Sequence, residues 1–249
     1  MVASFDTHVF WEALSSRPYW NGALLALELT LASLAVACVI GFFLALGHDS
    51  PRRWVRGLVL LYGWVFRATP TLLQLLFVWN ALPQLWPVFA GNWFTPFLAA
   101  LVTLSLNEAA YMAEIVRAGL LSVDPGQELA GRALGMTRRR ILRRVILPQA
   151  VRIVIPPVGN EFITLLKLTS LAFVISLHEL LTASQVRAAA DFSYPEAYSA
   201  ALVYYLAIVS VLMVAQVRLE RRFTWSSAGR RKWRRPEAAP VPAVSHDAR

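Results

Sequence analysis

Apolar residues fall in long blocks along this chain, and five of them reach the roughly 20 residues that a helix needs to cross a bilayer core. They lie near 20–46, 57–79, 93–117, 149–177 and 196–217. The first, NGALLALELTLASLAVACVIGFFLALG, and the last, EAYSAALVYYLAIVSVLMVAQV, are the plainest, while the middle three carry charges or prolines. The pattern predicts an all-α integral membrane protein with its membrane domain over 20–217. Ahead of it, residues 1–19 hold Phe5, Phe10, Trp11 and Tyr19, with Trp20 following, which suits a segment lying in the membrane interface. Asp6 and Glu12, with no basic start leading into an apolar core, speak against a removable signal peptide. The mature chain is therefore expected to begin near Met1.

Composition sharpens the class. At 57% hydrophobic and 16% charged, the chain does not suit a water-soluble fold. Its net charge of +9 would fit a nucleic-acid binder, but the placement of the charges argues otherwise. Arg52, Arg53 and Arg56 follow the first block, and Arg132, Arg138, Arg139, Arg140, Arg143 and Arg144 follow the third. Arg218, Arg221 and Arg222 follow the fifth. The alternate loops hold no Lys or Arg in 80–92 and only Arg187 in 178–195. Under the positive-inside rule this puts the N-terminus outside and the C-terminus in the cytoplasm, and no nucleic-acid partner is expected. The basic, Pro- and Ala-rich segment 218–249 reads as a disordered cytoplasmic tail. Cys38, the one cysteine, lies in an apolar block and reads as a small buried residue; His8, His48, His178 and His246 are isolated.

The cytoplasmic loop 118–148 contains DPGQELAGRALGMTRRRILRRVILP over 124–148. Asp124 is placed as an N-cap, Pro125 as the first helical residue and Gln127 as the partner that completes a capping box. Leu129, Ala130, Ala133 and Leu134 share one face, and Gly135 suits the left-handed residue that ends such a helix. Thr137 can cap a second helix with Ile141, Leu142, Val145 and Ile146 on its apolar stripe, and Pro148 is expected to close it. Helix, glycine turn and helix would serve equally as a lipid-binding surface or as an insert for a groove on a partner protein.

This stretch resembles the cytoplasmic loop signature of permease subunits in bacterial ATP-binding cassette importers: Glu-Ala-Ala, three residues, Gly, nine residues, Ile, one residue, Leu-Pro. Gly135, Leu147 and Pro148 fall in register, with Val145 at the Ile place. Leu129, Ala130 and Gly131 align with the triplet, and the only nearby carboxylate, Glu128, stands one place early, about 100° away around the helix. RATPTLLQL (67–75), AAYMAEIVRAGLLSVDPGQ (109–127), LPQAVRIVIPPVGNEFITLLKLTSL (147–171) and YYLAIVSVLMVAQVRLERR (204–222) resemble one branch, the polar amino acid permeases, in its order. The resemblance, over about residues 18–225, implies a type I importer permease fold in the bacterial inner membrane. It also implies an amino acid as solute, an extracytoplasmic binding protein that delivers it, a second permease copy or paralogue, and ATPase subunits that dock on the loop. Glu128, Leu129, Ala130, Gly131, Gly135, Met136, Leu147 and Pro148 would form that coupling site. The chain has no G-x-x-x-x-G-K-[ST] motif, so it is expected to hold no cofactor, with Mg-ATP bound by the partner ATPase.

Charges within the spans are costly, about 2.5–3.5 kcal/mol each near the bilayer centre on insertion scales, so each needs a partner or a task. Arg67 and Glu108 would suit either an interhelical pair or contact with a zwitterionic solute, and Glu114 with Arg117 a pair on one helical face. Lys167 stands without the acidic neighbour usual in the Lys-x-Thr-Ser-Leu stretch of that branch, because Leu168 occupies that place. Pro70, Pro156 and Pro157 are expected to interrupt their spans and free backbone groups along a cavity. Arg67, Gln74, Glu108, Lys167, Thr169 and Ser170 are the pathway candidates. An ion-coupled carrier using Glu108 and Glu114 is the alternative, and a membrane enzyme would need a nucleophile and base that the spans do not offer.

Overall fold

The computed structural model describes residues 5–224. Every regular element in it is helical. Asp6 caps α1 (Thr7–Ser15), its Oδ1 accepting from the His8 and Val9 amides at 2.8 and 3.4 Å. Pro18, in the first turn, starts α2 (Arg17–His48), where an amide would have no intrahelical partner anyway. α3 (Arg53–Ala68) and α4 (Thr71–Leu85) are bent by 102° at their junction and only together are long and apolar enough to cross a membrane. α5 (Pro96–Leu121) follows a short 3₁₀ turn at Pro87–Ala90. α6 (Pro125–Ala133) leads to α7 (Arg138–Ile175), α8 (Leu180–Asp191) and α9 (Tyr194–Thr224). Among the described residues α2, α5, α7 and α9 are each long and apolar enough to cross a membrane. α9 runs past the expected span end at 217, and the rest of the expected tail lies outside the described residues.

α2 and α5 make the most extensive helix pair. Gly22, Ala26, Ser33, Ala37, Gly41 and Ala45 are all buried and recur every four or seven residues, so α2 carries a stripe without bulk. A Cβ added to Gly41 would lie 2.5 Å from the Met112 Cβ, so the two backbones touch there. Small residues permit this approach, which replaces the hydrophobic drive that lipid tails cannot supply. Leu29, Leu75, Leu104 and Leu165 then join α2, α4, α5 and α7 in one buried cluster.

Prolines act differently from the sequence expectation. Pro148 does not close a helix. A wide turn over Leu142–Ile146, in which the Leu147 amide donates to the Leu142 carbonyl, carries the helix through it. An i to i−5 turn immediately before the proline absorbs its missing donor. The same device precedes Pro83, over Phe77–Ala81. Pro156 and Pro157 lie inside the helix Leu147–Leu168 and do not interrupt it. Each removes one hydrogen bond, but a proline φ is already helical.

At one end of the bundle α1 and the start of α2 are tied to α8 and α9. The Tyr204 hydroxyl donates to the Leu14 carbonyl at 2.8 Å, Tyr19 to Ala197 at 3.0 Å, and Arg187 pairs with Glu12 at 3.0 Å. Glu179, fully buried between spans, accepts from the Leu181 and Thr182 amides and the Tyr205 hydroxyl. Burial raises its pKa, and those donated bonds oppose the shift. An acid whose folded pKa exceeds its unfolded one contributes stability at low pH that is lost as pH rises through the folded value. Relative to Glu179→Gln, the unsubstituted protein should therefore lose stability as pH climbs above the ordinary 4.5. Thermal unfolding of both proteins across pH checks this, and parallel curves would refute it.

Candidate functional site

The α3–α4 break lies where the chain gives up its own hydrogen bonds. A residue before proline is driven out of the helical region, and Thr69 is extended at φ −106° and ψ 141°. Pro70 is extended too, so the carbonyls at the end of α3 lose their next-turn donors. Two side-chain amides replace them. Gln74 Nε2 donates to the Phe66 carbonyl at 3.0 Å and to Thr69 Oγ1 at 2.7 Å. Asn107 Nδ2, from α5, donates to the same Phe66 carbonyl at 3.0 Å and to Gln74 Oε1 at 3.0 Å. The Tyr62 hydroxyl donates to the Leu106 carbonyl at 2.6 Å and holds α3 against α5. Beside this lattice opens a cavity lined by Phe66, Thr69, Gln74, Phe77, Thr103 and Leu106 among others, with apolar walls. It can admit a solute's carbon skeleton beside a few polar groups.

Of the six pathway candidates, only Gln74 borders this cavity. Arg67 turns away, pairs with Glu114 at 3.3 Å and donates from Nε to the Gly63 carbonyl at 3.1 Å. Glu114 therefore does not form the expected pair with Arg117, which approaches Asp49 instead at 3.8 Å. Partners on neighbouring helices replace the same-helix contact. Glu108 is not paired with Arg67 either; it is 2% exposed and its Oε1 has no hydrogen-bond partner among the described residues. Glu161 on α7 adds a like charge nearby. The Thr169 and Ser170 hydroxyls donate at 2.7 Å to the Leu166 and Lys167 carbonyls, closing the tightened end of α7. Lys167 is exposed and has no ion pair among the described residues. Sequence reasoning missed Thr69, Thr103 and Asn107. The signal for Asn107 was present: a second polar residue beside Glu108 in an apolar span.

The 122–147 loop has a fixed shape. Asp124 Oδ1 accepts from the Gly126 amide at 2.7 Å, so Asp124 caps α6. The Gln127 half of the capping box does not form by side chain; its backbone amide donates to the Asp124 carbonyl at 2.9 Å. Gly135 sits at φ +73°, its amide donating to the Arg132 carbonyl at 2.9 Å and the Met136 amide to Gly131 at 3.0 Å. That pair of hydrogen bonds is the Schellman end, and glycine takes its left-handed position without strain. Gly131 packs under the buried Ile141, where an added Cβ would lie 2.8 Å from Cγ1. This contact sets the angle between α6 and α7. Glu128 pairs with Arg132 at 2.5 Å, along the helix. Leu129, 67% exposed, and Leu134, 80% exposed, with Ala130 and Ala133, face outward, so none of the described residues covers this apolar stripe. Met136 and Leu147 are half-buried, and Pro148 is exposed.

Residues 37–225 match the family described as "Binding-protein-dependent transport system inner membrane component". The arginine transport system permease protein ArgU of Corynebacterium glutamicum is 42% identical over 213 residues, which are 82% of this chain and 67% of that protein. The glutamine transport system permease protein GlnP of Escherichia coli is 38% identical over 218 residues, 88% of this chain and 97% of that one. A crystal structure of an amino acid ABC transporter with histidines superimposes with a TM-score of 0.78 at 33% identity. The match covers 89% of this chain and all of the other.

Proposed function

The chain belongs to the family of binding-protein-dependent transport system inner membrane components, and from that membership we propose how it works. It is the permease subunit of an ATP-driven importer that carries an amino acid from an extracytoplasmic binding protein to the cytoplasm. It spans the membrane several times and is a transport subunit, with ATP hydrolysis in a separate partner. In this reading it sits in a bacterial inner membrane with its N-terminus outside and its C-terminus in the cytoplasm. It pairs with a second copy around a shared pathway.

The observation that carries the reading is the open apolar face of α6 beside a corner of fixed geometry. An uncovered stripe of Leu129 and Leu134 needs a partner groove. Gly131 against Ile141 transmits any push on that stripe into α7, a helix that continues unbroken into the span. Nucleotide-driven movement of the ATPases then tilts α7 and switches access to the pathway. The proposed path runs by the α3–α4 break, where Gln74 is its polar contact. Arg67, Glu108, Lys167, Thr169 and Ser170 set the surrounding electrostatics and helix ends.

Reconstitution in vesicles with the partner ATPase and binding protein tests this. Uptake from a panel of labelled amino acids should require ATP and both partners. Uptake by this chain alone, driven by a proton or sodium gradient, would overturn it. Glu108→Gln keeps the volume and removes the charge, and it should lower uptake several-fold while leaving the amount of assembled complex unchanged. Equal loss of both would assign Glu108 to packing.

A further inference from the structure

Two opposite charges face outward from the spans beside one buried cluster, and neither side chain has a partner among the described residues. Glu28 is exposed on α2, between the exposed Leu24 and Leu31 on the same helical face. It lies eight residues inward from Trp20, about 12 Å along a helix that rises 1.5 Å per residue. Exposed Trp20 and Trp93 lie at the same end of the parallel pair α2 and α5, as aromatic residues do at a membrane interface. Glu28 therefore falls inside the apolar layer. Its side chain is too short to reach the headgroups from there, and a carboxylate facing lipid tails is unfavourable. Lys167 is exposed on α7. Neither side chain makes a hydrogen bond or ion pair among the described residues. Both charges border one buried cluster: it contains Leu29, beside Glu28, and Leu165, two residues before Lys167, with Leu25 and Leu168 packed against it.

We propose that Glu28 forms an ion pair with Lys167 of the partner subunit, a second copy of this chain. A two-fold axis makes such a contact reciprocal, so one interface would carry two identical bridges and leave neither charge facing lipid. Lipid alone would satisfy neither group, and the charges are complementary. The inference rests on the proposed pairing of two permease copies and adds what holds them in register.

The test uses the whole importer with Cys38→Ala as background. Copies carrying Glu28→Cys and copies carrying Lys167→Cys, with different tags, should form a disulfide between tags under mild oxidation. Glu28→Lys and Lys167→Glu should each lower ATP-driven uptake about tenfold, the change that ~1.4 kcal/mol produces. Combined in one chain, the two reversals should restore it to within about threefold. A link that forms only within a chain carrying both cysteines would overturn the pair. So would uptake unchanged by Glu28→Lys, or no rescue in the double variant when its membrane level matches the unsubstituted protein. If native gels still show paired copies in those cases, the register claim fails and the importer reading stands. If the unsubstituted importer shows no paired copies, the importer reading fails with it.

Discussion

Gly135→Val is expected to abolish ATPase activity stimulated by the loaded binding protein, and with it uptake, while insertion into the membrane stays normal. The backbone at this position has φ +73° and nothing within 4 Å of an added Cβ, so space is not the obstacle. Conformation is: a β-branched residue in the left-handed region is strained by about 1–3 kcal/mol. The cheaper outcome is to unwind the end of α6, which gives up the bonds from Gly135 to Arg132 and from Met136 to Gly131. α6 then loses its angle to α7, and the stripe of Leu129 and Leu134 no longer points where a groove can receive it. Gly135→Asn should be much milder, because asparagine tolerates that region. Basal ATPase activity measured beside stimulated activity separates lost coupling from lost assembly. Normal stimulation in the valine variant would remove the 122–147 loop from the coupling path.

Asn107→Leu should lower the thermal stability of the detergent-solubilised complex, by about 1–3 kcal/mol, and reduce uptake in proportion. Asn107 is buried, and its amide serves the Phe66 carbonyl and Gln74 Oε1 across 41 and 33 residues of chain. Leucine has the same branched skeleton and no donor, so Gln74 Oε1 loses its partner and the Phe66 carbonyl keeps only Gln74. Each buried polar group left unsatisfied costs about 1–3 kcal/mol, and no water in the apolar layer can take the place of the amide. Gln74→Leu should act in the same direction. The double variant should lose less than the sum, because both amides serve one carbonyl. A melting temperature unchanged in Asn107→Leu would mean that the break between α3 and α4 holds itself.

Local chemistry was readable in advance wherever a few neighbouring residues decide the conformation. Asp124 and Pro125 start a helix and Gly135 ends it, because capping involves atoms within one turn. Pro70 breaks its span as expected, since it also pushes Thr69 out of the helical region. Pro148, Pro156 and Pro157 carry the same ring and leave α7 whole. The difference lies in what surrounds each proline. A wide turn ahead of Pro148 takes up the lost bond, and Pro70 instead meets Gln74 and Asn107, which make a full break affordable in an apolar layer. The expected Glu114–Arg117 pair failed for a related reason. Spacing shows which side chains share a face, whereas Arg67 and Asp49 arrive from other helices.

By itself the sequence determined the class, because long apolar runs have no stable place in water, and the corner between α6 and α7, because Asp, Pro and Gly impose their own backbone angles. Only the tertiary structure decided which polar groups meet within the membrane. Hydrogen bonds and ion pairs act over about 3 Å, and the groups that form the lattice at the α3–α4 break come from helices that the chain order keeps dozens of residues apart.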